Sequence, residues 1–380
     1  METMEISGEV DPKFRAVADA FEQNFKNGLE VGAALCLFQN GEKKIDIWGG
    51  YMDTAKTRPW ETDTLVNVWS TTKGIMAFCV ARLADQGKLD LQEKVSHYWP
   101  EFGANGKENI TVAQLFSHQA GLCGPSRPLS RDEFVQTDLV ADLLAEDKPA
   151  WEPGTASGYH ALTIGPLADR LFQRIVGKTL GEYFRDEIAT PFGLDLHLGL
   201  PESEDHRVAE LSHDGGPQGG GRETWNEYQH LVYDNTPVHV PIAMRRDWRA
   251  QGTPSAGAQA NARSVATLYG ALASDRKLNG TEIISEAGLK AGTTIQIEGE
   301  DLVIRFPLSW AVGFAINTSQ MLLGPTAETF GHSGWGGSFG FADPVTGIGV
   351  GYTMNYMTEP GLEPDPRIVA LYTAIYESLA

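Results

Sequence analysis

The chain has 380 residues, 42% of them hydrophobic, with 50 acidic against 30 basic side chains and a formal charge of −20. That length can bury a large core, in one elaborate domain or two. The acidity repels phosphate backbones and anionic lipid and so argues against nucleic-acid and membrane-surface roles. No apolar run approaches the length that crosses a bilayer, and Met1-Glu2-Thr3-Met4-Glu5-Ile6 shows neither a basic nor an apolar leader region. Cys36, Cys79 and Cys123 are widely spaced in apolar or small-residue surroundings. An odd count without metal-type spacing reads as reduced thiols, and the expected location is cytoplasmic.

From the N-terminus, Phe14, Val17, Ala18, Phe21 and Phe25 predict a helix over 12–26. Strands over 31–38 and 43–48 flank Asn40-Gly41, a two-residue hairpin turn. An apolar run over 65–69 leads into Ser70-Thr71-Thr72-Lys73 and a helix with Ile75, Cys79 and Leu83 on its apolar face, ending at Gln86-Gly87. The middle reads as helical and loop-rich: a short helix at 111–116, an amphipathic one at 132–144, then helices over 162–176 and 180–188, the last stopped before Pro191. Residues 214–222 are glycine-rich and irregular, and with the weakly periodic 223–249 they resemble a lid or site wall. A helix follows at 262–273, then strands at 310–316, 338–343 and 347–354, with a hairpin connection at Asp343-Pro344-Val345-Thr346-Gly347, and a helix over 366–379. The economical fold class is α/β of the α+β kind. Segments 1–75 and 250–380 form an antiparallel sheet flanked by helices, and 76–249 is a mainly helical inserted domain. Ser70 then falls at the seam, where small-molecule sites are commonly found.

Ser70 and Lys73 are the chemically suggestive pair. At i and i+3 of a helix start they share one face. A serine hydroxyl needs a base to become a nucleophile, and a neutral lysine one turn away can serve. The helix N-terminus offers unpaired N–H groups to an oxyanion.

Four stretches in order carry a resemblance: Ser70-Thr71-Thr72-Lys73, Leu115-Phe116-Ser117-His118-Gln119-Ala120-Gly121-Leu122, Tyr159-His160-Ala161 and Gly331-His332-Ser333-Gly334-Trp335-Gly336-Gly337. Together they resemble the serine β-lactamase and penicillin-binding-protein superfamily with the class C β-lactamase fold, and more closely its esterase branch, the family VIII carboxylesterases. The resemblance implies a β-lactamase/transpeptidase-like fold and a serine carboxylesterase that cleaves small or aryl esters through an acyl-enzyme on Ser70. Lys73 and Tyr159 would be the acid/base pair, with the base left open between them. By the same resemblance, the backbone N–H groups of Ser70 and of Trp335, on an edge strand, form the oxyanion hole. His332, Gly334 and Trp335 line the substrate site, and the glycines at 331, 334, 336 and 337 let that strand approach the substrate. Ala161 replaces the asparagine of Tyr-x-Asn and His332 the lysine of Lys-Thr-Gly. A neutral imidazole is a poor carboxylate clamp, so uncharged esters are expected over β-lactams. His118 reads as structural. No cofactor or metal is implied, the partner is a small-molecule ester, and the oligomeric state is open. The competing readings are an acyltransferase on the same fold, a weak β-lactamase or DD-peptidase, and a non-catalytic binding or assembly homologue.

Overall fold

The structure is a computed structural model and describes residues 6–213, 222–317, 322–358 and 364–380. Both ends of the chain feed one antiparallel sheet. Its strands are β1 (Ser7–Val10), β2 (Gly32–Gln39), β3 (Glu42–Gly50), β4 (Ile297–Glu300), β5 (Pro307–Trp310), β6 (Ala315–Ile316), β7 (Phe330–Ser333), β8 (Phe339–Asp343) and β9 (Ile348–Met354). They lie in the order β1-β3-β2-β9-β8-β7-β6-β5-β4. The seam is β2 against β9, which pairs Leu35 with Tyr352 and Leu37 with Val350. The hairpin joining β2 to β3 turns at Asn40 and Gly41, with φ of 51° and 79°, the left-handed pair a type I′ turn requires.

Helices of eight residues or more among the described residues are α1 (Arg15–Lys26), α2 (Thr72–Asp85), α3 (Thr137–Glu146), α4 (Ile164–Val176), α5 (Ala262–Ala273), α6 (Glu286–Thr293) and α7 (Pro366–Leu379). None is long and apolar enough to cross a membrane. Helix α5 lies on β2, β9 and β8. It sits very close because the sheet presents glycines there. A Cβ at Gly349 would stand 2.0 Å from the Gly270 nitrogen, and one at Gly351 2.4 Å from the Ala262 carbonyl oxygen. The alternate residues of β8 point the other way, where Phe339 and Phe341 pack edge-on against Tyr372 of α7 at 5.0 and 5.4 Å. Helix α1 packs beside α7.

Helix α2 is the element that carries Lys73. The expected apolar face becomes all-round burial: Thr72 to Ala81 and Leu83 are buried, with α6 and β7 packed along the helix. Other expectations change in detail. The segment 132–144 is two helices, Arg131–Phe134, which a Ser130–Glu133 capping box starts, and α3, parted at Gln136, whose ψ of 84° is not helical. The helix expected over 180–188 passes Pro191. Leu180–Phe184 runs into a π turn, Arg185–Ala189, and Thr190–Phe192. The Thr190 N–H donates to the Arg185 carbonyl, five residues back, and this widened turn accommodates the proline ring. The strand expected over 310–316 is a hairpin of β5 and β6, turned at Gly313 with φ 84°. Residues 214–221 lie outside the described residues. The stretch after them holds Glu227–Tyr233, a 3-10 turn at Val240–Met244 and Arg246–Gln251.

Candidate active site

The residue before Ser70 is strained. Trp69 has φ 46°, a region that bulky side chains avoid. Its ring is held by Trp335 at 4.9 Å and Trp248 at 6.0 Å, and the Trp248 indole N–H donates to Asn67 Oδ1 at 2.9 Å. The flanking backbone is also tied down. The Val68 N–H donates to Ala258 O (3.0 Å), and the Ala258 N–H donates to Thr72 Oγ1 (3.1 Å). Ser338 donates its hydroxyl proton to Val68 O at 2.8 Å and so accepts from Thr71 Oγ1 at 3.0 Å. Strain persists only where surroundings over-determine it, and these contacts do so. The result is a short 3-10 turn, Trp69–Thr71, that presents the half-buried Ser70 at the start of α2. The first N–H groups of such a turn have no partner within it.

Lys73 is wholly buried. Its Nζ lies 3.1 Å from Ser70 Oγ, 2.7 Å from Ala161 O and 2.8 Å from Ser255 O. Burial pushes its pKa well below the ordinary lysine range. A neutral amine has two N–H bonds and one lone pair. Two carbonyls take the N–H bonds, which leaves the lone pair for the Ser70 O–H.

Tyr159 is the third member of the group. Lys73 Nζ stands 4.7 Å from its ring centroid. Burial raises the phenol above its ordinary value, while hydrogen bonding to Ser70 opposes that rise. The ring lies parallel to Trp310, at 5.5 Å and 4°, and His332 continues the stack at 5.9 Å from Tyr159 and 5.8 Å from Trp310. His118 closes it edge-on, at 5.0 Å from Tyr159 and 4.6 Å from Trp310. The histidines are uncharged. Burial, first of all, brings His332 down to about 3 and His160 down to about 4. His118 is lowered well below its usual value, chiefly by burial. Its Nδ1 accepts from the His160 N–H at 3.2 Å, and it takes a φ of 64°, so it shapes the loop that bears Tyr159. The Gly158 N–H donates to the His118 carbonyl at 2.9 Å.

The structure thus brings Ser70, Lys73 and Tyr159 together, with His332 stacked beside Tyr159. His332 Nδ1 donates to Ser333 O at 2.7 Å, and its buried Nε2 has no partner among the described residues. Trp335 is placed differently from the expectation. Strand β7 is interior to the sheet, and Trp335 lies in the turn after it, where Gly334 N–H donates to Ser338 O (2.7 Å) and Gly337 N–H to Gly334 O (3.1 Å). Only Phe330 and Gly331 of β7 pair with β6, so among the described residues no strand pairs with the His332–Ser333 end on that side. The glycines lie hard against other protein atoms. Added Cβ atoms would meet Phe341 Cα at Gly331 (2.7 Å), Val68 O at Gly334 (2.3 Å), Met357 Cβ at Gly336 (2.5 Å) and Arg367 Nη2 at Gly337 (2.5 Å). They let this turn sit against the Ser70 segment and the core.

Several contributors escape sequence reasoning. Ser255 supplies a carbonyl, Trp248 supports Trp69, and Tyr233 acts electrostatically on the Tyr159 phenol. Asp301 accepts the Tyr159 backbone N–H at 2.9 Å. A backbone carbonyl leaves no sequence signal. The aromatic richness of 225–233 and the lone tryptophan of 309–312 are the available hints.

Residues 21–374 match the profile described as Beta-lactamase. The Esterase/beta-lactamase LipL of Mycobacterium tuberculosis (strain ATCC 25618 / H37Rv) is 32% identical over 395 residues, covering 99% of this chain and 89% of the relative. A crystal structure of a family VIII carboxylesterase superposes with TM-score 0.93 at 43% identity, covering 98% of this chain and 100% of the other. A penicillin-binding protein homologue from Caulobacter crescentus gives TM-score 0.92 at 40% identity over 98% and 100%. With that profile taking in α2 and the Ser70–Lys73–Tyr159 group alike, the chain belongs to the Beta-lactamase family and has its β-lactamase/transpeptidase-like fold.

Proposed function

We propose that the protein is a serine carboxylesterase that cleaves small or aryl esters through an acyl-enzyme on Ser70. The observation that carries the reading is the fully buried Lys73, its pKa lowered by burial, with Nζ 3.1 Å from Ser70 Oγ. A lysine in its neutral form at ordinary pH is a competent base. Tyr159, whose phenol is held protonated by burial, suits the acid. Ser70 Oγ adds to the ester carbonyl as its proton passes to Lys73. The C–O bond to the alcohol then breaks, and the departing alkoxide takes the Tyr159 proton. The Lys73 ammonium returns a proton to the phenolate. Water enters for the alcohol and reverses these transfers to release the acid. Backbone N–H groups of Ser70 and Trp335 receive the oxyanion.

Substrate class follows from charge. His332 stays neutral where a carboxylate clamp needs a cation, so uncharged esters fit best. The names of LipL, an esterase/β-lactamase, and of the 43%-identical carboxylesterase support the same class. The test is Ser70→Ala against p-nitrophenyl acetate, with mass spectrometry of wild type after a fluorophosphonate. The expected outcome is loss of turnover in the variant and a single adduct on Ser70. Full activity in Ser70→Ala overturns the reading.

A further inference from the structure

Asp301 stands 142 residues beyond Tyr159 in the chain, and its side chain is fully buried. Oδ1 accepts three backbone N–H groups, from Tyr159, Val303 and Ile304, each at 2.9 Å. Oδ2 accepts the indole N–H of Trp310 at 3.1 Å. A buried carboxylate is costly unless its oxygens are satisfied, and here donors from three segments converge on it. Val303 and Ile304 close its own turn. The other two bonds reach the site. One fixes the main chain of Tyr159, and the other fixes the ring that lies parallel to the Tyr159 phenol at 5.5 Å. Tyr159 is therefore held from below through its backbone and from the side through Trp310.

We propose that Asp301 is a positioning residue for proton delivery: it sets the Tyr159 hydroxyl on the line between Ser70 Oγ and the departing alcohol oxygen. This rests on Tyr159 acting as the acid. Asp301 itself touches no reacting atom. Its effect is the registration of a proton donor, and a displacement of about 1 Å in such a group costs on the order of a hundredfold.

The test uses acetate esters whose alcohols become progressively poorer leaving groups, from p-nitrophenol through phenol and trifluoroethanol to ethanol. A p-nitrophenolate leaves without a proton and an ethoxide does not. For Tyr159→Phe, the loss in kcat/KM should grow along the series, on the order of a hundredfold or more for ethyl acetate. Asp301→Asn keeps the size and one acceptor oxygen but sets an amide where the indole N–H needs an acceptor. Its loss should tilt the same way, about tenfold or more for ethyl acetate and small for the p-nitrophenyl ester. Trp310→Phe keeps the stacked ring and deletes only the N–H. It should show a weaker tilt of the same sign, and it carries the test where Asp301→Asn does not fold. A loss uniform across the series, with Tyr159→Phe tilted, overturns the positioning role and leaves Asp301 a structural tie. A flat Tyr159→Phe series overturns the acid assignment itself, and the proposal with it.

Discussion

Lys73 is predicted to be uncharged in the folded protein at neutral pH, and stability can report this without any substrate. The perturbation is Lys73→Met, which keeps the length of the side chain and removes the titrating amine. Burial lowers the folded-state pKa of Lys73 well below its unfolded value. Between the two values the unfolded chain holds a proton that the folded chain lacks. Stability must therefore rise with pH across that window and level off above the unfolded value, near 10.5. One proton of difference corresponds to a slope of about 1.4 kcal/mol per pH unit. The Met variant also leaves Ala161 O and Ser255 O without their donor. An unsatisfied buried carbonyl costs about 1–3 kcal/mol, but that offset does not depend on pH. The assay is urea unfolding of both proteins at pH 7, 8, 9 and 10, read as the difference in unfolding free energy. Other titrating groups cancel in the difference. The wild type should gain on the variant as pH rises, and its kcat/KM should fall as pH drops through the folded-state pKa of Lys73. A difference that stays flat from pH 7 to 10 refutes the neutral-lysine base.

Two further outcomes are expected. Hydrolysis of p-nitrophenyl acetate should exceed that of nitrocefin in kcat/KM by orders of magnitude, because His332 offers no cation to a β-lactam carboxylate; comparable rates would refute the charge argument. Arg367→Met should destabilise the protein by about 3–5 kcal/mol in urea melts, since it leaves the buried Asp365 carboxylate (2.6 Å) without its cation and takes a partner (3.3 Å) from Glu30, whose pKa burial raises to about 7. Because Arg367 Nη2 also donates to Gly336 O at 2.7 Å, kcat should fall as the turn bearing Trp335 loosens. Unchanged melts would show that the network contributes nothing.

The residues that could be read in the chain are those whose physics is local. Helix α5 and helix α7 fall where periodicity placed them, because their apolar stripes meet a glycine-lined sheet face and a row of phenylalanines. The Asn40-Gly41 hairpin is legible because only a few dipeptides accept two left-handed residues in succession. The β-lactamase/transpeptidase-like fold is legible as well, since four separated motifs in fixed order specify it jointly where each alone would not. The 3-10 turn at Ser70 keeps its proximity to Lys73 through spacing alone.

What spacing could not give is the state of the groups it brings together. Whether Lys73 is an ammonium or an amine depends on burial supplied by residues near 161 and 255, far away in the chain. The setting of Tyr159 depends on Asp301, Trp310 and His118, none of them near it in sequence. Trp335 was expected on an edge strand by the family resemblance. Only the packed molecule reveals that the glycines around it face Val68, Met357 and Arg367. Short-range order is written in periodicity and turn chemistry, which one segment contains. Protonation, strain and close packing are properties of a site that distant segments enclose, so tertiary structure alone decides them.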